Sequence, residues 1–304
     1  MTDTAHTTPS SRTMLITGAS SGIGEATARR LAREPGARLV LVARRQERLH
    51  ALAAELGEHR VSYLAADLLD DGAPRAIREH VRELGDQLHL LVNNAGASWR
   101  ASFADGGYEN VRRTMALNFD AQVRLTEELL PLLRSSAPSA IVNVSSTAGR
   151  VARAGAGAYS ASKFALAGWS DALFAEERQH GVHVGLVLPG FIATEGFPAA
   201  ELTARPLTRW VVSTPEKAAE AIFEAGIGRR AERYVPRPYA LAGIIRILAP
   251  GLYRRATGTS AAAVATTATG ADADAAAERA RQSPDSGEHG QPDSVLGGTR
   301  PGSD

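Results

Sequence analysis

The sequence predicts a single-domain α/β fold, in which helices cover both faces of a doubly wound parallel sheet. Short apolar runs typical of strands alternate with segments of helical periodicity from Thr13 to Val235, and this alternation indicates parallel strands joined by crossover helices. The run Val182–Leu188 is almost continuously apolar, as in a strand that is buried on both faces. The chain has 304 residues, of which 44% are hydrophobic, and this suffices for one such core.

The predicted elements follow one another in a regular order. The strands are predicted at Thr13–Gly18, Leu39–Ala43, Val61–Ala65, Leu88–Asn93, Ala140–Ser145, Val182–Leu188 and Arg233–Val235. The helices are predicted at Glu25–Arg33, Gln46–Leu56, Ile77–Leu84, Tyr108–Leu133, Tyr159–Gln179 and Pro215–Ile227. Because parallel neighbours in a sheet need a crossover connection, each helix is predicted to carry the chain back to the starting edge of the sheet.

Composition narrows the functional classes. The chain has no cysteine, which excludes disulfide frameworks, thiolate nucleophiles and iron–sulfur clusters, so redox chemistry would need a bound cofactor. The formal net charge is +1 without a basic block, which gives no reason to expect nucleic-acid binding. No apolar stretch approaches the length that spans a bilayer, and Met1–Arg12 is polar without a signal-peptide core. We therefore expect a cytoplasmic protein with no transmembrane segment.

Composition also divides the chain into four regions. Residues 1–11 are predicted to be a flexible arm, 12–238 the α/β domain, 239–255 an apolar segment and 256–304 a disordered tail. The tail lacks aromatic residues and has few large aliphatic ones, so it cannot bury enough surface to offset its ordering entropy. Tyr239–Tyr253 is apolar apart from Arg246. This stretch is too short to span a membrane and is predicted to be a docked helix, a subunit contact or a peripheral membrane contact.

A glycine-rich turn follows the first predicted strand and opens the first helix. Its candidate binding residues are Gly18, Ser20, Ser21, Gly22, Ile23 and Gly24. Glycines let a pyrophosphate approach the helix N-terminus, where unpaired N–H groups and the helix dipole favour negative charge. Three residues separate the first two glycines, unlike the plain G-x-G-x-x-G pattern. A simple glycine-rich turn therefore stays an alternative for this motif alone.

The end of the second predicted strand indicates which dinucleotide would bind. A site that prefers NAD usually has Asp or Glu here for the ribose 2′-hydroxyl, whereas an arginine can hold a 2′-phosphate. Ala43 occupies the position of the acid, and Arg44 and Arg45 follow it. The sequence therefore predicts a preference for NADP(H), with NAD(H) as a second cofactor. The alternative is that these arginines begin the next helix in solvent, and one of the two is expected to do so.

Further segments that follow strands are predicted to line the same crevice. The carboxylate of Asp67 could accept hydrogen bonds from an adenine amine; an exposed loop carboxylate is the alternative. Asparagine and glycine suit a crowded turn in which side-chain amides satisfy backbone groups beside a ligand. The other candidates are Asn94, Ala95 and Gly96 after the fourth strand, and Pro189, Gly190, Ile192 and Thr194 after the sixth.

The densest group of reactive side chains is Ser146, Tyr159 and Lys163. Tyr159 and Lys163 are four residues apart in a predicted helix, so they share one face. A positive neighbour favours the phenolate and would bring the tyrosine pKa closer to neutral pH. An exposed Tyr–Lys pair is the alternative. Only Lys163 and Lys217 are lysines among 34 basic residues, which favours a specific role for Lys163.

Taken in order, these residues resemble the classical short-chain dehydrogenase/reductase family. The resemblance covers Arg12–Val235, and Ser146 rather than Ser145 matches the family serine because it lies thirteen residues before Tyr159. The resemblance implies a Rossmann-like fold. The matching residues are Thr17–Gly24, Asp67, Asn93–Gly96, Asn118, Ser146, Tyr159 with Lys163, and Pro189–Thr194.

The resemblance also implies a role for each matching residue. Tyr159 is expected to be the general acid/base, and Ser146 to hold and polarise the same substrate oxygen. Lys163 is expected to contact the nicotinamide ribose and lower the Tyr159 pKa, and Asn118 to position a water; no metal is implied. Tyr159 is also a cofactor contact in this scheme. The remaining implied contacts are Ile192 and Thr194 at the nicotinamide carboxamide, Asn94 and Gly96 near the ribose, and Arg44 at the 2′-phosphate.

By this resemblance the protein is an NADP(H)-dependent enzyme that interconverts a carbonyl and an alcohol, in a homodimer or homotetramer. The pocket candidates are mostly apolar and predict a medium-sized hydrophobic ketone, aldehyde or secondary alcohol as substrate. A non-catalytic NADP-binding sensor is the alternative from another class, and a sugar-nucleotide epimerase or dehydratase is a second enzymatic one. The pocket candidates are Trp99, Arg153, Phe191, Phe197 and Leu202.

Overall fold

The computed structural model describes residues 11–195 and 212–257, and its centre is one parallel sheet. The strand order is β3-β2-β1-β4-β5-β6-β9, and each neighbouring pair is parallel. A second, two-stranded sheet pairs β7 with β8. The strands are β1 (Arg12–Thr17), β2 (Ala37–Ala43), β3 (Val61–Ala65), β4 (Leu90–Asn93), β5 (Ser139–Val144), β6 (Val182–Pro189), β7 (Phe191–Ile192), β8 (Val212–Ser213) and β9 (Glu232–Val235).

Helices connect the strands of the large sheet and cover both of its faces. The α-helices are α1 (Gly22–Leu31), α2 (Gln46–Leu56), α3 (Ala73–Glu83), α4 (Phe103–Met115), α5 (Ala121–Ser135), α6 (Gly157–Glu177), α7 (Pro215–Gly226), α8 (Tyr239–Leu248) and α9 (Pro250–Thr257). Strand order reverses between β1 and β4, and ligands of open parallel sheets bind at such a switch point. The predicted doubly wound α/β fold is therefore confirmed.

The core has two layers because successive strand residues point to opposite faces. On β1, Met14 and Ile16 pack in the layer that contains Leu31 of α1, whereas Leu15 packs in the layer that contains Leu125 of α5. All three β1 side chains are fully buried. This double burial explains the nearly continuous apolar runs in the sequence.

The long helix predicted at Tyr108–Leu133 is instead two helices with a turn of π-helix, Ala116–Asp120, between them. The extra residue per turn widens the helix locally, and hydrophobic periodicity is too coarse to reveal one added residue. Helix α1 begins at Gly22, three residues before the predicted start. The glycine-rich turn therefore leads directly into the first helical turn.

The apolar segment predicted after the main domain forms α8 and α9 and docks on it with one face. The Tyr239 ring packs against Gly190, and the Tyr253 hydroxyl donates a hydrogen bond to the Ala152 carbonyl over 2.7 Å. On the outer face, Ile247 and Leu248 are exposed. Helix α9 reaches Thr257, two residues into the predicted tail. The rest of that tail and residues 1–10 of the predicted arm lie outside the described residues. Within the described ranges, no helix is long and apolar enough to cross a membrane.

Candidate active site

The glycine-rich turn joins β1 to α1 in a tight conformation that needs glycine. Gly18 and Gly22 have φ values of 66° and 57°, a left-handed conformation that favours glycine. A Cβ at Gly24 would collide with the Gly18 carbonyl, so this position also needs glycine. The cap residue Ser21 makes no side-chain capping bond to α1. The first N–H groups of α1 are thus available to an anion such as a pyrophosphate.

The segment after β4 is held against the end of β1 by hydrogen bonds. The Asn94 amide N–H donates to Thr17 Oγ1 over 3.0 Å, and its side chain donates to the Thr17 carbonyl over 2.9 Å. The Ala95 N–H also donates to Thr17 Oγ1, over 3.1 Å. Asn93 instead points into the core and donates to Asn143 Oδ1 over 2.9 Å. The Asn94–Ala95 turn therefore forms a fixed wall of the crevice.

Both arginines after β2 lie at this crevice. Arg44 is exposed, with its Nη1 3.7 Å from Asp67 Oδ2. Arg45 lies over the glycine-rich turn, where its Nη2 donates to Ser20 Oγ over 3.1 Å and to Ser21 Oγ over 2.7 Å. The sequence analysis selected Arg44 alone for a 2′-phosphate. The contacts of Arg45 make it a second candidate for binding the 2′-phosphate. In the sequence, only its position next to Arg44 pointed to this role.

The residues after β6 approach the glycine-rich turn from the opposite side. The Gly190 N–H donates to the Val235 carbonyl over 2.8 Å, immediately after Pro189 ends β6. Ile192 is buried on β7. A Cβ placed on Gly22 would lie 3.1 Å from Thr194 Cγ2. The predicted Pro189–Thr194 segment and the predicted turn thus face each other across the crevice.

Ser146 lies just beyond β5, where its hydroxyl links two strand ends. Its Oγ donates to the Pro189 carbonyl over 3.2 Å and accepts from the Ala148 N–H over 3.1 Å. Its neighbour Ser145 donates to the Lys163 carbonyl over 2.9 Å and so ties α6 to β5. The two serines therefore have different environments, and the Ser146 side chain is the one that acts on the phenol of Tyr159.

Lys163 reaches the same site from α6. Its side chain is buried, and Nζ donates to the Val144 carbonyl over 2.9 Å. Nζ lies 5.9 Å from the centre of the Tyr159 ring and 3.5 Å from the point a Cβ on Gly96 would occupy. Burial lowers the pKa of Lys163 to about 8, because removal from water disfavours the ammonium form.

The electrostatics of Tyr159 differ from the expectation. Burial raises the pKa of the phenol, and a hydrogen bond with Ser146 and the positive charges of Arg153 and Arg100 oppose that rise. The resemblance implied that Lys163 lowers this pKa, but its ammonium is directed at the Val144 carbonyl. In the protein alone, burial outweighs the opposing effects, so the phenol is held in its protonated form.

Asn118 lies in the π-helical turn and uses its side chain to hold the loop after β4. Its Oδ1 accepts from the Ala97 N–H over 2.9 Å, and Nδ2 donates to the Ala97 carbonyl over 2.8 Å. Nδ2 also donates to Ser162 Oγ over 3.1 Å. Both amide hydrogens are thus engaged by protein atoms. The water-positioning role implied for Asn118 stays a prediction.

Three of the five pocket candidates belong to the described residues. Arg153 stacks on Phe191, with its guanidinium carbon 4.6 Å from the ring centre. Trp99 lies beneath Arg113 at 5.0 Å, and Phe197 and Leu202 fall outside the described residues. Tyr239, which the sequence analysis did not select, packs on Gly190 beside this pocket. In the described part of the chain, no group of three His, Asp or Glu side chains could hold a metal ion.

Comparison with known proteins assigns this architecture to a family. The sequence model described as short chain dehydrogenase matches residues 12–203. The chain is 33% identical over 260 residues to Dehydrogenase/reductase SDR family member 7B of Bos taurus, covering 80% of this chain and 79% of that protein.

Two bacterial relatives agree with this assignment. Ketoacyl reductase HetN of Nostoc sp. is 31% identical over 221 residues, with coverages of 72% and 76% for this chain and that protein. Oxidoreductase UcpA of Salmonella typhimurium is 36% identical over 197 residues, with coverages of 64% and 73%. The chain therefore belongs to the short-chain dehydrogenase/reductase family of NAD(P)-dependent oxidoreductases.

Proposed function

We propose that this protein is an NADP(H)-dependent oxidoreductase that interconverts a ketone or aldehyde and an alcohol, with Tyr159 as the general acid/base. The observation that carries the proposal is the grouping of Ser146, Tyr159 and Lys163 at the end of β5, across the crevice from the glycine-rich turn. A protein that only bound the cofactor would need no proton donor at this position.

The crevice fits a dinucleotide. The left-handed glycines and the uncapped start of α1 suit a pyrophosphate. Gly96 lets the backbone pass close to Asn118 and Lys163, because a Cβ there would lie 2.9 Å from Asn118 Oδ1. The nicotinamide, when bound, supplies the hydride or accepts it. Ile192 and Thr194 are the residues proposed to hold its carboxamide.

The protein's own contribution is orientation and proton transfer. Burial keeps the Tyr159 phenol protonated, which is the form that can give a proton to a carbonyl oxygen as it gains charge. The Ser146 hydroxyl would hold that oxygen, and this hydrogen bond would replace its bond to the Pro189 carbonyl. Alcohol oxidation would run the same proton transfer in reverse.

The proposed preference for NADP(H) rests on the charges after β2. This strand ends at Ala43 rather than at an acid, and Arg44 and Arg45 follow it. A guanidinium suits a 2′-phosphate because it offers a planar set of donors and keeps its charge. Arg45 already contacts the turn through Ser20 and Ser21, so its fork is positioned beside the proposed ribose site.

Several expectations about partners and surroundings stay predictions. The homodimer or homotetramer, the cytoplasmic location, and a subunit or membrane contact by the outer face of α8 and α9 belong to this group. The name ketoacyl reductase describes the HetN relative, and it supports a carbonyl substrate here without naming one.

The proposal is tested by following the absorbance of NADPH and of NADH with a series of ketones and aldehydes. We expect oxidation of NADPH that is faster than that of NADH and that falls in the Tyr159→Phe variant. Tight NADPH binding without turnover of any carbonyl or alcohol would favour the sensor function instead. Equal or better efficiency with NADH would contradict the cofactor preference.

A further inference from the structure

Arg153 belongs to a loop that the C-terminal part of the chain holds in place. The loop runs from the 3-10 turn Thr147–Gly149 to the start of α6. The Tyr253 hydroxyl of α9 donates to the Ala152 carbonyl over 2.7 Å, and Arg150 pairs with Glu232 of β9 over 2.8 Å. The position of the Arg153 backbone is therefore set by contacts of Arg150 and Ala152, three residues and one residue before it.

The Arg153 side chain points toward the reacting groups rather than into solvent. Its guanidinium lies 4.6 Å from the centre of the Phe191 ring, and its charge acts on the phenols of both Tyr159 and Tyr239. Tyr239 in turn packs on Gly190, next to the carbonyl of Pro189 that Ser146 contacts. Arg153 thus lies at the substrate side of the site.

No carboxylate of the described residues neutralises this guanidinium. Within residues 11–195 and 212–257, Arg153 forms no ion pair, whereas other arginines around the cleft do: Arg44 with Asp67, Arg48 with Glu195, and Arg150 with Glu232. Burial and the charge of Arg100 both lower the pKa of Arg153. A half-buried cation without an acid beside it carries a desolvation cost, and stacking on one phenyl ring offsets only part of that cost.

We propose that Arg153 binds an anionic group of the substrate, a carboxylate or a phosphate, while the carbonyl of the same molecule lies at Ser146 and Tyr159. The inference rests on the proposed function and refines its substrate class from a hydrophobic carbonyl compound to an acidic one. A guanidinium offers paired donors that match either anion. Phe191 and Tyr239 supply apolar surface for the carbon chain between the two groups.

The cofactor phosphates do not explain this cation. They are assigned to the start of α1, where Thr194 faces Gly22, and Arg45 already supplies a guanidinium at that turn. Arg153 instead lies near Phe191, Arg100 and the phenols of Tyr159 and Tyr239. The anion that Arg153 binds therefore belongs to the second substrate.

The test measures reduction of paired compounds by the full chain with NADPH. One set pairs 2-, 3-, 4- and 5-oxo acids with their neutral methyl esters. The other pairs short oxo-alkyl phosphates with the corresponding neutral oxo-alcohols. We expect the wild type to reduce at least one anion with a kcat/KM about 10- to 100-fold above that of its neutral partner, the effect of charged hydrogen bonds. The acid and phosphate pairs separate the two anion classes. Arg153→Met should remove this preference, because it should lower kcat/KM for the anion far more than for its neutral partner, and Arg153→Lys should restore part of it.

A matched control is Arg246→Met. Arg246 stacks on Phe164 with the guanidinium carbon 4.7 Å from the ring centre, which is nearly the same geometry as that of Arg153 on Phe191. Arg246 lies on α8 and is not one of the residues grouped around Ser146 and Tyr159. This variant should keep the wild-type preference. Preference for the neutral compounds in the wild type, or an anion preference that survives Arg153→Met, would refute the assignment.

A binding measurement separates this inference from the proposed reaction. If no carbonyl compound oxidises NADPH, the proposed function fails, and calorimetric titration of hexanoate, hexyl phosphate and hexanamide into the NADP-loaded protein still tests Arg153. At least one of the two anions should bind to the wild-type protein more tightly than to the Arg153→Met variant. The neutral hexanamide should bind equally to both proteins. Equal anion binding by both proteins, or a tenfold loss of NADPH affinity in Arg153→Met, would overturn the inference.

Discussion

The two ends of the cleft are built by different means. At the cofactor end, glycines and backbone N–H groups shape the surface: the N–H groups of Asn94 and Ala95 donate to the Thr17 hydroxyl, and Gly24 packs on the Gly18 carbonyl. At the substrate end, side chains from three separated segments meet, as Arg153, Phe191 and Tyr239 do. The first surface is backbone that a few neighbouring side chains hold in place, whereas the second is itself made of side chains from distant parts of the chain.

The arginines at the two ends of the cleft also differ in the partners of their charges. The arginines beside the proposed ribose site have acids or hydroxyls as partners, such as Asp67 for Arg44 and Ser21 for Arg45. Among the described residues, Arg153 has aromatic rings and a like charge nearby but no acid. This comparison indicates that substitutions at the cofactor end should affect every substrate. Those at the substrate end should change which substrate is used.

The largest effect on turnover is expected from a substitution of Tyr159, which lies between the two ends of the cleft. Tyr159→Phe removes only the hydroxyl, and the loss of a general acid lowers turnover by about 100- to 10,000-fold. NADPH affinity, measured by fluorescence titration, should stay within about threefold because the ring is kept. Tyr63→Phe on β3 is a matched control that should keep full activity. Turnover near that of wild type in Tyr159→Phe would remove the mechanism and leave a cofactor-binding fold.

The next largest effect is expected in the pH dependence of carbonyl reduction, through Lys163. Since its pKa is lowered to about 8, the ammonium is present below that pH and lost above it, while Tyr159, whose pKa is raised, stays protonated. For carbonyl reduction, kcat/KM for NADPH, which reports on the free enzyme, should therefore fall about tenfold per pH unit above about pH 8. Lys163→Arg stays charged and should lose this decrease, with lower activity overall. A wild-type profile that is flat up to pH 10 would contradict the role of the ammonium.

Sequence reasoning succeeded where the spacing along the chain fixes the geometry. The strand-turn-helix order places Gly18–Gly24, and a separation of four residues on α6 brings Tyr159 and Lys163 to one face. It could not find the contacts of Arg153 or the packing of Tyr239, because these depend on long-range folding. Tyr253 and Ala152, for example, are 101 residues apart.

The cofactor preference should respond to both arginines after β2. Replacing Arg44 and Arg45 together by leucine should lower kcat/KM for NADPH by about 10- to 100-fold, the loss of charge-assisted hydrogen bonds to a 2′-phosphate. Efficiency with NADH, which lacks that phosphate, should change by less than about threefold. The two single variants, measured with both cofactors, show which guanidinium carries the effect. An equal loss with NADH would mean that the arginines only support the turn.

A smaller effect is expected where α9 holds the Arg153 loop. Tyr253→Phe removes the donor to the Ala152 carbonyl, and one exposed hydrogen bond changes a binding constant about threefold. The KM for the carbonyl substrate should rise by that factor while the KM for NADPH is unchanged, since the affected loop lies at the substrate end. A rise in both constants would show that the hydrogen bond stabilises the whole domain.

The smallest effect is expected beyond α9. A chain that ends at Thr257 keeps the Tyr253 contact and loses only residues with no aromatic side chain, among them seven acids and three arginines. This composition predicts no ordered packing on the domain, so we expect kcat/KM for both substrates to stay within about twofold. Ending the chain at Pro238 also removes α8 and α9 and should raise the carbonyl KM well beyond the Tyr253→Phe value. Loss of activity in the Thr257 chain would place part of the substrate end in the tail.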